Sequence, residues 1–269
     1  MKRLVTNIRH HLKVWLVYIR LSTIQYFVYR ADFVFSSLGS VSWVMATFFT
    51  YQIIFSQVNQ IAGWSWGEMV LLYGVYNLFW GIFVTFLSGG HALGWKIRYG
   101  GFDASLLRPI NSIFSATLRF SPNTIAHIIT GLLIFIFGIS QSGIAITLVN
   151  FALFLILFIN GLVMGYFLGL IFGSSAFWMT ENNEIVSFFW NIETLAKYPS
   201  DFYKFNKVVY GLVFTLIPVM FIAVVPVKIL SSGFDLWLFI GAFIVSSFLV
   251  TIAIRLWKAG IKKYNGVSV

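Results

Sequence analysis

Six long apolar stretches, at residues 32–55, 67–89, 120–139, 145–178, 208–229 and 235–256, alternate with short polar or basic connections. Each approaches or exceeds the ~20 residues a helix needs to cross hydrocarbon. None shows the strict apolar and polar alternation, in segments of about ten residues, that marks an outer-membrane barrel. The pattern predicts an all-α integral membrane protein with six segments that cross or enter the bilayer. Two runs complicate the count. As one helix, 145–178 would reach about 51 Å at 1.5 Å per residue and protrude from the membrane; a break at Asn160-Gly161 is the competing reading. The 208–229 run holds Pro218 and Pro226, which are costly in a plain helix but tolerated where backbone bends inside protein. It either spans or enters and returns.

Ahead of the first run the chain is amphipathic and too charged to span. On a helical wheel Lys2, Arg9, Lys13 and Arg20 fall within an arc of about 40°, among Trp15, Val17, Tyr18, Ile19 and Ile24. Residues 1–30 therefore predict a helix lying in the headgroup layer with its basic stripe toward anionic lipid; a solvated flank of the first span is the alternative. The opening MKRLVTNIRHHLK has no cleavable-leader pattern, so the first span is expected to direct insertion. Lys96, Arg98, Arg108 and Arg119 lie between the second and third runs, and Arg255, Lys258, Lys262 and Lys263 follow the last, whereas 56–66 and 140–144 hold no basic residue. The bias of Lys and Arg toward the inner side then places both termini in the cytoplasm.

Composition sharpens this. The chain is 59% hydrophobic and only 10% charged, too few charges to coat a water-facing surface. A net charge of +10 would suit nucleic acid only if gathered on one exposed face; here the basic residues sit between apolar runs, and no nucleic-acid partner is expected. With no Cys, disulfides, thiolate catalysis and Cys-bound metals are excluded. His10, His11, His91 and His127 have no carboxylate at metal-ligand spacing, so no metal site is expected. His127, inside the third run, reads as a structural histidine, since a proton relay needs ionisable neighbours. No GxxxxGK[ST] loop exists to cradle ATP, and Ser, His and acidic residues are too scattered to suggest a hydrolytic triad. The chain is not expected to be an enzyme.

Two segments stand out. Gly161, Gly165, Gly169 and Gly173 recur every fourth residue, a face that lets another helix approach closely in lipid, from the same chain or from a second subunit. In the loop 92–112, Gly100-Gly101 can break the incoming helix, Asp103 is a candidate N-cap and Pro109 marks a turn toward the next span. The short helix between them would expose Phe102, Leu106 and Leu107, an apolar patch that suggests a protein partner.

Gly101, Phe102, Asp103, Leu106, Leu107, Arg108 and Pro109 resemble the cytoplasmic motif of ABC-2-type transporter permeases. Phe177-Trp178 followed by Tyr198-Pro199 is similar to a less characterised bacterial subfamily of these permeases. The resemblance implies one transmembrane domain over 1–269, of the six-helix ABC-2, type V exporter-like kind. It would comprise an interfacial helix at 1–30, a coupling helix in 92–112 and a re-entrant outer region at about 200–230, with Tyr198, Pro199, Pro218 and Pro226 in or beside it. It also implies a fifth span near 185–200, with Glu181 and Glu184 cytoplasmic and Glu193 at membrane depth. Hydropathy alone instead makes 208–229 the fifth span and leaves 181–207, with Lys197, Lys204 and Lys207, in the cytoplasm.

The partners implied are an ABC ATPase subunit that holds ATP and Mg, a second identical or related permease, and membrane lipid, in the bacterial plasma (inner) membrane. The function implied is the permease half of an ATP-driven exporter, with drug, lipid or peptide substrates all compatible. An ion-coupled secondary transporter, disfavoured by nearly charge-free spans, and a non-transporting membrane scaffold are the alternatives.

Overall fold

The computed structural model describes residues 2–179, 181–211 and 218–264, with side chains at these positions other than 2–8 and 209. Helix α1 (Lys2–Val28) leads through Tyr29 into α2 (Arg30–Phe55). A small hairpin follows, β1 (Gln60–Ile61) pairing antiparallel with β2 (Trp64–Ser65), Gln60 opposite Ser65 and Ile61 opposite Trp64. Ser65 and Glu68 then form a capping box, the Glu68 carboxylate accepting the Ser65 backbone N–H at 2.9 Å. This starts α3 (Trp66–Ile82) cleanly at the membrane edge.

Helix α3 continues through a π turn (Phe83–Leu87) and a 3-10 turn (Ser88–Ala92) into α4 (Leu93–Arg98). Then come α5 (Gly101–Leu106), α6 (Ser112–Thr117), α7 (Ile125–Ser142) and α8 (Leu148–Ser174). The remainder is α9 (Asn183–Glu193), α10 (Lys207–Gly211), α11 (Val224–Ser232) and α12 (Leu236–Lys263).

Among the described residues, five helical stretches are long and apolar enough to cross a membrane: α2, Trp66–Arg98, Pro122–Ser142, Leu148–Phe177 and α12. The competing break at Asn160-Gly161 does not occur, because α8 runs unbroken through it. The Asn160 carboxamide donates to the Ala242 carbonyl of α12 at 3.2 Å, so its polar group is satisfied across the seam without opening the helix.

The 208–229 run is not one helix. A 3-10 turn (Val219–Phe221) interrupts it, and α11 is nine residues long, about 14 Å against a ~30 Å hydrocarbon core. Pro218 caps that turn and Pro226 sits in the first turn of α11, where its missing N–H has no intrahelical acceptor to lose. The fate of the first half of this run falls on 212–217, outside the described residues.

Two contacts decide where 181–207 lies. Arg98, at the end of α4, approaches Glu181 at 3.6 Å. At the hairpin, Trp64 Nε1 donates to Asp201 Oδ2 at 3.1 Å. Between them the chain runs from the α4 end of the bundle to the hairpin end, through α9 and the 3-10 turn Thr194–Lys197. The hydropathy-only expectation, which kept all of 181–207 at the α4 end, is therefore overturned. Hydropathy failed because α9 is short and mixed in polarity and is finished by 3-10 turns.

The tightest seam is between α3 and α7, which run antiparallel. Gly67, Gly74 and Gly81 face the backbone of α7, and Gly131 and Gly138 face that of α3. A Cβ at Gly74 would stand 2.5 Å from the Phe135 amide nitrogen, and one at Gly138 equally close to that of Leu71. Backbones this close bring many atoms to van der Waals distance, which replaces the hydrophobic drive that lipid cannot supply.

Candidate functional site: the α4–α6 end and the exposed loop beyond α5

Gly100 ends α4 with a left-handed backbone, φ 73°, and α5 begins at Gly101. Glycine is the residue that adopts this conformation without steric cost. Asp103, expected as the N-cap, is instead in the first turn of α5, and Gly100 occupies the cap position. The Asp103 carboxylate suits the helix N-terminus, but its described bond is to the far end of the chain, where Tyr264 Oη donates to Oδ1 at 2.9 Å.

Phe102, expected to be exposed, is completely buried. Its ring meets Tyr264 at 4.9 Å, Phe177 at 5.3 Å and Trp257 at 5.8 Å between centroids, all edge to face. The amphipathic pattern of a six-residue helix is too short to show which side is covered, and the covering residues lie up to 162 positions away. Trp257 Nε1 also donates to Ser112 Oγ at 3.1 Å, at the start of α6. The short helix is thus fixed to the end of α12 and to the turn after α8.

The opposite side is bare. Leu107 is 86% exposed, and Leu106, Arg108 and Pro109 are exposed beside it. Trp95 and Tyr99 of the preceding turns are also largely exposed, their rings 5.1 Å apart. Of the three expected apolar contacts, Leu106 and Leu107 face outward and Phe102 faces inward. The result is a rigid element with an apolar outer surface and an aromatic root in the bundle.

At the hairpin end, Asp201 is the hub of a charged knot. It accepts from Trp64 Nε1 and Lys228 Nζ at 3.1 Å each, and pairs with Lys204 Nζ at 2.6 Å. Lys228 also lies 5.9 Å from the Trp64 ring centre. Burial works to raise the Asp201 pKa, but the bonds from Lys204, Trp64 and Lys228 and the Lys228 charge outweigh it, and the carboxyl is held well below the usual range. The Lys204 ammonium is correspondingly raised, first by its hydrogen bond to Asp201. Tyr198 and Pro199 lead directly into this knot, which starts at the 3-10 turn Ser200–Tyr203.

The glycine face of α8 is occupied within the chain. Gly161 meets the Ile222 backbone, Gly165 the Phe79 ring, Gly169 the His91 ring and Gly173 the Gly90 carbonyl. Glu193 is fully buried, and neither carboxylate oxygen has a hydrogen-bond partner among the described residues. His127 is buried in α7 with its Nδ1 unpartnered. Among the described residues no three metal-ligating side chains converge.

Sequence reasoning missed the aromatic root (Phe177 as a packing residue, Trp257, Tyr264), the Asp201 hub and the α3–α7 seam. Only the last left a readable trace, glycines seven apart at 67, 74 and 81 and again at 131 and 138. A comparison with curated proteins finds no match. Residues 41–268 do match the family described as ABC-2 family transporter protein, so the chain belongs to that family and is a multi-pass membrane permease of the ABC transporter class.

Proposed function

We propose that this chain is the permease subunit of an ATP-driven ABC-2-type exporter, and that a separate ABC ATPase, carrying the ATP and Mg, grips the exposed side of Leu106, Leu107, Arg108 and Pro109. The observation that carries the reading is the two-sidedness of α5. Its apolar outer surface suits a protein partner, while Phe102 and Asp103 tie it to α12 and to the turn after α8. A push on Leu107 would therefore reach two spans through packed rings without first deforming a loop.

The rest of the domain, 1–269, fits the same reading. Six crossings would be α2, the α3–α4 rod, α7, α8, a fifth span near 185–200 and α12. α1 would lie along the membrane surface, and α10 with α11 would form the re-entrant region near 200–230. α2 is almost bare of intrachain cover, as expected of a helix that meets a second permease or lipid. The basic residues at the α4–α6 end support a reading in which that end and both termini face the cytoplasm of a bacterial inner membrane. The exported substrate would be an amphiphile of drug, lipid or peptide type.

Co-purification with the candidate ATPase tests the proposal. Leu107→Asp should abolish association and any stimulation of ATP turnover while leaving membrane insertion unchanged. Association that survives this change would place the contact elsewhere, and failure of the wild-type chain to bind any ABC ATPase would remove the reading. Glu193, a buried carboxylate without a partner, is the one observation that favours an ion-coupled carrier. Uptake driven by an imposed proton gradient in ATPase-free vesicles would establish that alternative.

A further inference from the structure

Between α1, the π turn, the segment after α6 and the middle of α8 lies an open cleft of about 370 Å³. Its walls are almost wholly apolar, with Trp15 of α1, Phe86 of the π turn, Leu118 after α6, and Leu162, Val163 and Phe167 of α8. Phe86 is turned into the cleft by the π turn, a helix irregularity frequent at functional sites. One charged side chain lines it, Arg119.

Arg119 is half-buried, and its described hydrogen bond uses only Nε, donating to Ser121 Oγ at 3.2 Å. The ion pairs among the described residues involve Arg98, Lys204 and Lys228, never Arg119 or Lys96. Lys96, for its part, donates to the Ala116 carbonyl, three residues before Arg119. A cation in no ion pair among the described residues, lining an apolar cleft that the exposed Ile159 of α8 also lines, suits an anion that carries a hydrocarbon chain. Basic pockets between membrane helices bind anionic headgroups for this reason.

We infer that the cleft is a binding site for one anionic phospholipid, its phosphate on Arg119 and an acyl chain along Trp15, Phe86, Leu162 and Phe167. The site goes beyond the proposed export role and does not depend on it. α1 forms one wall, so the bound lipid also holds the amphipathic helix against the bundle.

The full chain, purified and equilibrated with mixed phosphatidylglycerol and phosphatidylcholine, would be examined by native mass spectrometry for retained lipid. The wild type should retain phosphatidylglycerol in preference, by about fivefold per basic contact. Arg119→Gln should bring the two lipids toward parity, and Arg119→Lys should keep the preference. Val163→Trp, on the accessible α8 wall, should reduce retention of both lipids and provides a test if the Arg119→Gln chain fails to insert. Equal retention of both lipids by the wild type would overturn the inference, as would an unchanged preference in Arg119→Gln. So would displacement of phosphatidylglycerol by inorganic phosphate alone, which would make the apolar cleft irrelevant. If Val163→Trp separates copies of the chain while lipid retention stays intact, the cleft is a protein–protein seam and the inference fails.

Discussion

The two ends of the bundle are held by different physics. At the α5 end, Phe102 is locked by three aromatic rings, with a single carboxylate bond from Tyr264 beside them. At the hairpin end, Asp201 gathers two lysines and an indole N–H. Ring packing is short-ranged and indifferent to pH and salt, and it gives a stiff joint. A partly exposed charged knot is screened and titratable, and it gives a joint that conditions can loosen. Under the proposed function, force applied at the α5 end would benefit from stiffness there, and compliance at the hairpin end would be tolerated.

The largest expected effect breaks the stiff joint. Phe102→Ala leaves a cavity among Phe177, Trp257 and Tyr264 and should destabilise the protein by about 3–5 kcal/mol, read as a lower midpoint of thermal unfolding in detergent. If the midpoint barely moves, the ring cluster is not what holds α5. Asp201→Asn should cost less, about 1 kcal/mol once solvent screening is allowed for. It should also raise protease accessibility of the hairpin and of 198–206 without altering the α5 loop.

Acid should act on the same side only. The folded-state pKa of Asp201 is depressed, so its stabilisation is present above the ordinary carboxylate range and is lost as pH falls through the lower folded value. Hydrogen-exchange protection, taken relative to the intrinsic rate at each pH, should fall around Trp64 and Asp201 in strong acid while that around Phe102 does not. Equal loss of protection at both ends would erase the contrast. For Lys204, whose pKa is raised, the contribution is complete below the ordinary lysine value and disappears at strongly alkaline pH. The smallest effect on stability belongs to Leu107→Asp, within about 0.5 kcal/mol because the side chain is in solvent. A large fall in the unfolding midpoint would mean that Leu107 packs against the protein.

How far the site was legible depended on distance along the chain. Gly100, Gly101 and Pro109 bound the α5 element by local backbone rules, and those signals read correctly. Phe102 did not, because residues 177, 257 and 264 cover it, and a six-residue helix has too few positions to reveal its buried face. The glycines of α8 announced a close contact but not its partner, which proved to be the same chain: Gly90, His91, Phe79 and Ile222.

The sequence by itself determined the membrane class, the positions of α2, α3, α7, α8 and α12, and the family, because bilayer thickness imposes a length and polarity that any helical span must meet. Tertiary structure alone decided that 181–201 passes from one end of the bundle to the other and that 208–229 is broken. It also decided which side of α5 is the root and which the handle. In those places the apolar runs are short or interrupted, and the outcome rests on contacts such as Trp64 with Asp201 and Phe102 with Tyr264, each made across more than a hundred residues of chain.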